Sequence, residues 1–349
     1  MTAATAFPSP PSLSDGHRLG RPAIALIALA SLGVTALLFA VTPLQGTAGL
    51  VVAAVAVFSI ALAAVSFAVE GRRRASDRVL GLGVRLAVLI ALLPLVLVLG
   101  YTLNRGLSKV DVNFLTHSMK GVGPFDTGGG LYHAAIGTLE QVLLTMLIAV
   151  PLGLLVAIYL AEYGRGRFAS TVRFLVDVMT GIPSIVAGLF IYALVVINSG
   201  PSGLAAALAL AILMLPVVVR SAEEMIKLVP DGLREASYAL GVPKWKTILR
   251  IVLPTASAGI TTGVMLAVAR VTGETAPLLL TSQTFDAINP NPFSGRQSAL
   301  SSYIYDQATS AGPGYIPRAW GAALVLIAIV LVLYASARLL TRRNSLTRG

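Results

Sequence analysis

Two opposite charges four residues apart, Arg270 and Glu274, stand in an otherwise apolar stretch, Ala267-Val-Ala-Arg-Val-Thr-Gly-Glu-Thr-Ala-Pro277. On one continuous helix that spacing puts both side chains on the same face. Ionisable groups inside a membrane span are costly, and they normally face a bundle interior or an aqueous path. An arginine there grips an oxyanion through two parallel N–H donors, while a nearby glutamate positions the arginine or repels the anion onward. A salt bridge that only holds helices together is the plainer use of the same pair.

A second informative stretch is polar. Residues 221–254 include Pro230-Asp-Gly-Leu-Arg-Glu-Ala-Ser-Tyr-Ala-Leu-Gly-Val-Pro-Lys-Trp-Lys-Thr-Ile-Leu-Arg-Ile-Val-Leu-Pro254. Leu233, Ala236 or Ser237, and Leu240 recur at three- and four-residue intervals, which predicts a short helix with one apolar stripe. Gly241 suits a left-handed terminus for it, and Pro243 the opening of the next helix. Such an element lies on a lipid surface or docks into a groove on a cytoplasmic partner; periodicity alone does not choose. Other chemistry finds little material. Cys is absent, and His17, His117 and His133 are scattered, so neither a thiolate site nor a metal cluster is expected. No Gly-x-x-x-x-Gly-Lys-Ser/Thr phosphate loop occurs, since the nearest candidate, Gly241-Val-Pro-Lys-Trp-Lys-Thr247, lacks the second Gly.

Membrane helices must position these residues. Of the 349 residues, 56% are hydrophobic and 12% charged, against about a quarter charged in soluble domains. Eight apolar runs stand out: Pro22–Val41, Ala48–Val69, Leu86–Leu103, Val142–Leu160, Val178–Ile197, Pro201–Val219, Ala256–Leu280 and Ala319–Ala337. Each suffices to cross roughly 30 Å of hydrocarbon as a helix, the sixth least comfortably. A spanning segment must satisfy its own backbone, and these runs lack the alternation of barrel strands. The expected fold class is an all-α polytopic membrane protein of about eight transmembrane helices.

The net charge of +11 follows from topology rather than from a nucleic-acid partner. An even number of spans places both termini on one side, and most basic residues fall there: Arg18 and Arg21, the cluster Arg72 to Arg85, Arg165 to Arg173, Arg220 to Arg250, and the C-terminal arginines. Arg105, Lys109, Lys120, Arg296 and Arg318 fall on the other side. Positive residues stay inside, so both termini are expected in the cytoplasm. Residues 1–21 read as a disordered cytoplasmic tail, and 341–349 as a second tail. The outer segments Asn104–Gln141 and Ser282–Arg318 are rich in Gly, Pro, Asn and Ser and are expected to be irregular or partly helical.

The polar segment resembles a known family. Glu235-Ala236-Ser237, three residues to Gly241, nine to Ile251 and then Leu253-Pro254 is similar at every fixed position to the EAA loop of binding-protein-dependent (type I) ABC-importer permeases, with Ser237 where a second Ala is usual. The resemblance implies a coupling helix, with Glu235, Ala236, Ser237 and Gly241 meeting a separate ATPase chain that holds ATP and Mg. This chain would then bind no cofactor and do no covalent chemistry.

The charged stretch resembles the A-type permease of phosphate-specific importers (PstA) through Arg270, Gly273, Glu274, Thr275, Ala276 and Pro277. Gly181-Ile-Pro-Ser-Ile-Val-Ala-Gly-Leu-Phe190, and Gly128-Gly-Gly-Leu-Tyr132 with Gly137-Thr138, are similar to that family too. Pro183 kinks a helix and Gly181 with Gly188 permits close contact, so packing is the reading favoured for the first of these.

The resemblance implies a substrate path at Arg270, Glu274 and Thr275 and an inner-membrane importer of inorganic phosphate. A PstC-like permease, PstB-like ATPases and a PstS-like extracytoplasmic binding protein would be its partners. It covers about Gly83 to Leu340, giving a six-helix permease core over 82–340 and two additional N-terminal helices with a basic loop over 22–81. Permeases for sulfate, molybdate or phosphonate share the architecture. An ion-coupled secondary transporter would show inverted repeats, and none is evident.

Overall fold

The computed structural model describes residues 19–41 and 46–346. All regular structure among the described residues is helical, as apolar runs in lipid require. Among the described residues, seven helices are long and apolar enough to cross a membrane, or eight if one sharply bent pair is a single span.

The chain divides into two compact units, residues 1–99 and 100–349. In the first, α1 (Arg21–Val41) packs along α2 (Thr47–Glu70). Buried Ser31 and Thr35 return their hydroxyl protons to carbonyls one turn back, each at 2.7 Å. The expected basic loop before the third span is not a loop: Gly71, with φ 79°, makes the turn alone, and α3 (Arg72–Leu107) starts directly after it. The division between units falls inside α3, after Leu99. The expected tail over 1–21 lies mostly outside the described residues, and Arg21 already opens α1.

The second unit continues with α4 (Val112–Thr116), α5 (Tyr132–Ile158), α6 (Gly166–Thr180), α7 (Ser184–Ile191), α8 (Ile197–Ser199) and α9 (Gly203–Lys227). It ends with α10 (Asp231–Ala239), α11 (Lys244–Thr247), α12 (Leu253–Thr272), α13 (Ala276–Thr281), α14 (Leu300–Thr309) and α15 (Tyr315–Leu346). Three π-helical turns, Tyr159–Tyr163, Tyr192–Val196 and Ile248–Val252, interrupt the ladders after α5, α7 and α11. Because α15 runs to Leu346, most of the expected tail over 341–349 is helical.

Helix α9 is the centre of this unit and packs against α5, α6, α7, α12 and α13. Ala205, Ala206, Ala207, Ala209 and Ala211 are all buried, and such small residues let neighbouring backbones approach closely, the main source of helix association in lipid. Glycines on the neighbours do the same: a Cβ on Gly153 of α5 would sit 2.7 Å from Val218, and Gly259 and Gly263 of α12 leave no room against Met225 and Ser221. Ser202 caps α9 by accepting from the Ala205 N–H at 3.1 Å.

Two expected spans are broken. The fifth, Val178–Ile197, turns by 103° between α6 and α7 at Gly181-Ile182-Pro183. Proline removes an N–H and clashes with the preceding turn, and the chain uses the break as a corner rather than a kink. The seventh, Ala256–Leu280, stops at Thr272 and restarts as α13.

Candidate translocation and coupling site

The break in the seventh span lies at the charged signature. Pro277 cannot donate to a carbonyl one turn back, so helix is lost over Gly273–Thr275 and restarts with Pro277 in its first turn. Arg270 is therefore in the last turn of α12, while Glu274 and Thr275 lie beyond its end. This corrects the expectation of one shared helical face: the two charges sit on different backbone geometries, and no ion pair joins them among the described residues. The Arg270 side chain is exposed and has no acidic partner, while Glu274 and Thr275 are half-buried.

Depth follows from helix register. Gly259 meets Met225, Gly263 meets Ser221, and Ser202 N–H donates to the Thr281 carbonyl, so α12 and α13 run antiparallel to α9 in one register. Continuing it puts Arg270 level with Met214, at the middle of the 25-residue α9. An unpaired guanidinium and a helix break thus share the mid-depth of the unit. Irregular backbone is tolerated there only where protein buries it or an aqueous cavity lines it.

Packing holds the break in place. A Cβ on Gly188 would lie 2.7 Å from the Pro277 Cα, so α7 touches the start of α13 directly. That is the packing role the Gly181–Phe190 stretch was expected to have. Ser301 of α14 donates to the Glu274 carbonyl at 2.7 Å, which supports the unwound strand from the other side.

The coupling segment forms as its punctuation predicts. Helix α10 follows Pro230, Gly241 has φ 75°, and α11 opens after Pro243. Glu235 and Ala236 are exposed, and so are Leu233, Leu240 and, nearby, Tyr238 and Trp245. Leu240 is 84% exposed, too much apolar surface for a helix whose stripe packs on its own chain. Ser237 points the other way: it is buried, and its hydroxyl hydrogen-bonds that of Thr247 at 2.8 Å, fastening α10 to α11. Of the four expected coupling residues, Ser237 is therefore a brace and not part of the exposed face.

Arg234, the residue before Glu235, is one that sequence reasoning missed. Its Nε and Nη2 donate to Glu162 Oε1 at 3.0 and 2.8 Å, and Nη1 and Nη2 to the carbonyls of Val229 and Ile226 at 2.5 and 3.0 Å. Glu162 lies in the π-helical turn that ends the α5 span, and Lys244 Nζ donates to its carbonyl. Helix α10 is thus tied to the end of the α5 span and to the C-terminal end of α9. Close by in the chain, buried Glu223 of α9 accepts from Arg173 at 3.0 Å and Lys227 at 2.6 Å, and Asp177 pairs with Arg220.

Residues 149–346, which contain both the coupling segment and the Arg270 break, match the model of the family described as "binding-protein-dependent transport system inner membrane component". The chain is 47% identical over 282 residues to the phosphate transport system permease protein PstA 1 of Mycobacterium tuberculosis (strain ATCC 25618 / H37Rv), covering 79% of this chain and 92% of that one. It is 39% identical over 273 residues to the phosphate transport system permease protein PstA of Yersinia pestis, covering 77% and 90%. The chain belongs to the PstA permease family. A bacterial alginate ABC transporter crystallised with its pentasaccharide-bound periplasmic protein has a chain of the same fold, with a TM-score of 0.52 at 17% identity over 74% of this chain and 94% of that one.

In this PstA-family permease the glycines at 128–137 and the long segments 104–141 and 282–318 form one cap. A Cβ on Gly130 would strike the carbonyls of Phe114 and His117, and one on Gly137 would strike that of Ser298. Thr138 Oγ1 accepts from the Leu300 N–H at 2.7 Å, and Gln141 donates to the Gln297 carbonyl at 3.2 Å. Arg318, placed from sequence among the basic residues of the side opposite the termini, is completely buried. It donates to the carbonyls of Gly314 at 2.9 Å and of Gly128 and Asp126 at 3.2 Å each, and stacks over Tyr315. The glycines at 128–130 were the only signal in the sequence for that cage.

Proposed function

We propose that this chain is one of the two membrane-spanning permeases of an ATP-driven importer of inorganic phosphate, in a prokaryotic inner membrane with both termini cytoplasmic. An extracytoplasmic PstS-like protein delivers phosphate, which passes between this chain and a PstC-like permease. PstB-like chains hold ATP and Mg and hydrolyse the nucleotide; this chain carries no cofactor.

The observation that carries the reading is Arg270. It is an unpaired guanidinium at mid-depth, beside a helix break, in a chain whose relatives at 47% and 39% identity bear the name of phosphate permeases. Its planar fork suits two oxygens of one phosphate. Glu274 and Thr275 flank it on the unwound strand, where Thr275 offers a hydroxyl and Glu274 a negative charge that keeps the anion from settling. Closure of the ATPases moves α10 through Glu235, Ala236 and the Gly241 turn, and the path around Arg270 reopens outward.

The test is uptake of radiolabelled phosphate at limiting concentration in cells lacking the chain, complemented by wild type or by Arg270→Ala at equal membrane abundance. Wild type restores uptake and Arg270→Ala does not, while the complex still assembles. Restoration of sulfate, molybdate or phosphonate uptake in place of phosphate would move the substrate to that oxyanion. Loss of assembly in Arg270→Ala would make the arginine a structural contact.

A further inference from the structure

The N-terminal unit contains a cavity that permeation does not use. It has a volume of about 730 Å³ and is lined on its polar side by Glu70, Arg74, Asp77, Arg78 and Arg85. Ile24, Phe58 and Leu62, from α1 and α2, form apolar wall. Arg74, Arg78 and Arg85 fall four and seven residues apart in α3, so they share one helix face.

The charges are not balanced internally. Glu70 is spent on its own neighbours: its side chain is 2% exposed, and it accepts from Ser66 at 2.5 Å, from the Leu19 N–H at 2.7 Å and from Arg78 at 2.6 Å. Arg85 makes no hydrogen bond or ion pair with any described residue; it is exposed, about 20 Å along α3 and one residue before the apolar run that starts at Leu86. Side chains on a helix lean toward its N-terminus, so Arg85 reaches back toward Arg78 and Arg74. A guanidinium with no protein partner at the edge of the hydrocarbon is open to an anion at the headgroup level.

We propose that this cavity binds the headgroup of an anionic phospholipid, its phosphodiester held by Arg85 together with the Arg74 and Arg78 side of the pocket. Basic cavities between membrane helices on the cytoplasmic side are suited to such headgroups, and the excess of arginine places this end of α3 on that side. The apolar wall beneath the arginines selects an amphiphile over a free ion, because inorganic phosphate gains nothing from Ile24, Phe58 or Leu62. The two additional helices thereby acquire a role independent of the translocation path: they fix the permease to an acidic lipid.

The test uses the complete complex reconstituted in vesicles with trace spin-labelled phosphatidylglycerol or phosphatidylcholine, reading the motionally restricted fraction by electron paramagnetic resonance. Wild type prefers phosphatidylglycerol, and Arg85→Gln lowers that preference about fivefold, the worth of one basic residue at an anionic surface. Arg85→Lys retains most of it. Equal preference in wild type and Arg85→Gln would overturn the proposal. Displacement of the lipid label by excess inorganic phosphate would also overturn it, by assigning the site to the free ion. Native mass spectrometry of the wild-type complex gives an independent reading: retained acidic phospholipid supports the site, and its complete absence refutes it.

Discussion

Replacing Arg234 by Ala tests whether the coupling helix works as a rigid extension of the membrane helices. Arg234 and Glu162 are 14% and 5% exposed, so their attraction is little screened. Removing one member of a buried, hydrogen-bonded pair costs about 3–5 kcal/mol, because the other is left charged and unsolvated. Here the Glu162 carboxylate would lose its only hydrogen-bond partner among the described residues, and the carbonyls of Val229 and Ile226 would lose their donor as well. Part of that energy is recovered if α10 swings away and water enters. The expected result is a loop that is detached in a large fraction of molecules, with transport per ATP lowered roughly 10- to 100-fold, the factor that about 1.4–2.7 kcal/mol represents. The assay is parallel measurement of ATP hydrolysis and phosphate uptake by the complex in proteoliposomes. Hydrolysis should persist, since the nucleotide lies on another chain in the proposed assembly. The double variant Arg234→Met with Glu162→Leu, which removes both charges and refills the volume, should recover part of the coupling. A wild-type ratio of uptake to hydrolysis in Arg234→Ala would refute the clamp.

Three further outcomes follow from local geometry. Glu235→Lys or Gly241→Asp should uncouple hydrolysis from uptake while the complex still assembles, Gly241 because its φ of 75° costs any residue with a Cβ about 1–2 kcal/mol; co-purification with the ATPase together with both activities checks this. Gly188→Val should lower the thermal midpoint of the purified complex, since a Cβ 2.7 Å from the Pro277 backbone forces α7 off α13 at a cost of about 1–3 kcal/mol or more. Arg318→Met should leave three carbonyls and the outer cap without their donor, and limited proteolysis should then cut faster between Met119 and Gly130.

Local signals were enough for much of this architecture. Apolar runs of spanning length located the helices, and the dipeptide punctuation at Gly241 and Pro243 placed the ends of α10 and α11. The Arg270 signature was legible because charge in an apolar run is rare. What it means locally was not, since four-residue spacing implies a shared face only if the helix continues, and Pro277 ends that continuity. The 103° corner at Gly181–Pro183 likewise depends on Gly188 finding Pro277 nearly ninety positions later in the chain. Arg318 and Arg234 escaped for a related reason. Their partners lie up to 192 and 72 positions away, and neither residue stands out in its own neighbourhood, where one looks solvated and the other looks like ordinary helix surface.

The two legible motifs are also the two ends of one mechanical element. From Lys244 to Arg270 the chain is helical without a gap, about 40 Å long. One end is braced to the coupling helix by Ser237 and Thr247, and the other stops at the break beside Arg270. Gly259 and Gly263 seat this rod directly on α9, where it can slide or roll but cannot bend inward without striking Met225 or Ser221. The π-helical turn Ile248–Val252, with its poorer hydrogen bonding, is the place where the rod gives. In the proposed mechanism a displacement of α10 reaches Arg270 through this rod, with the π-helical turn taking up part of it and the unwound Gly273–Thr275 strand the rest against α13, which Gly188 holds. That arrangement makes Gly273, with no Cβ to resist a backbone change, the residue on which the stroke turns. Gly273→Ala should slow uptake while leaving both the clamp at Arg234 and the guanidinium of Arg270 in place.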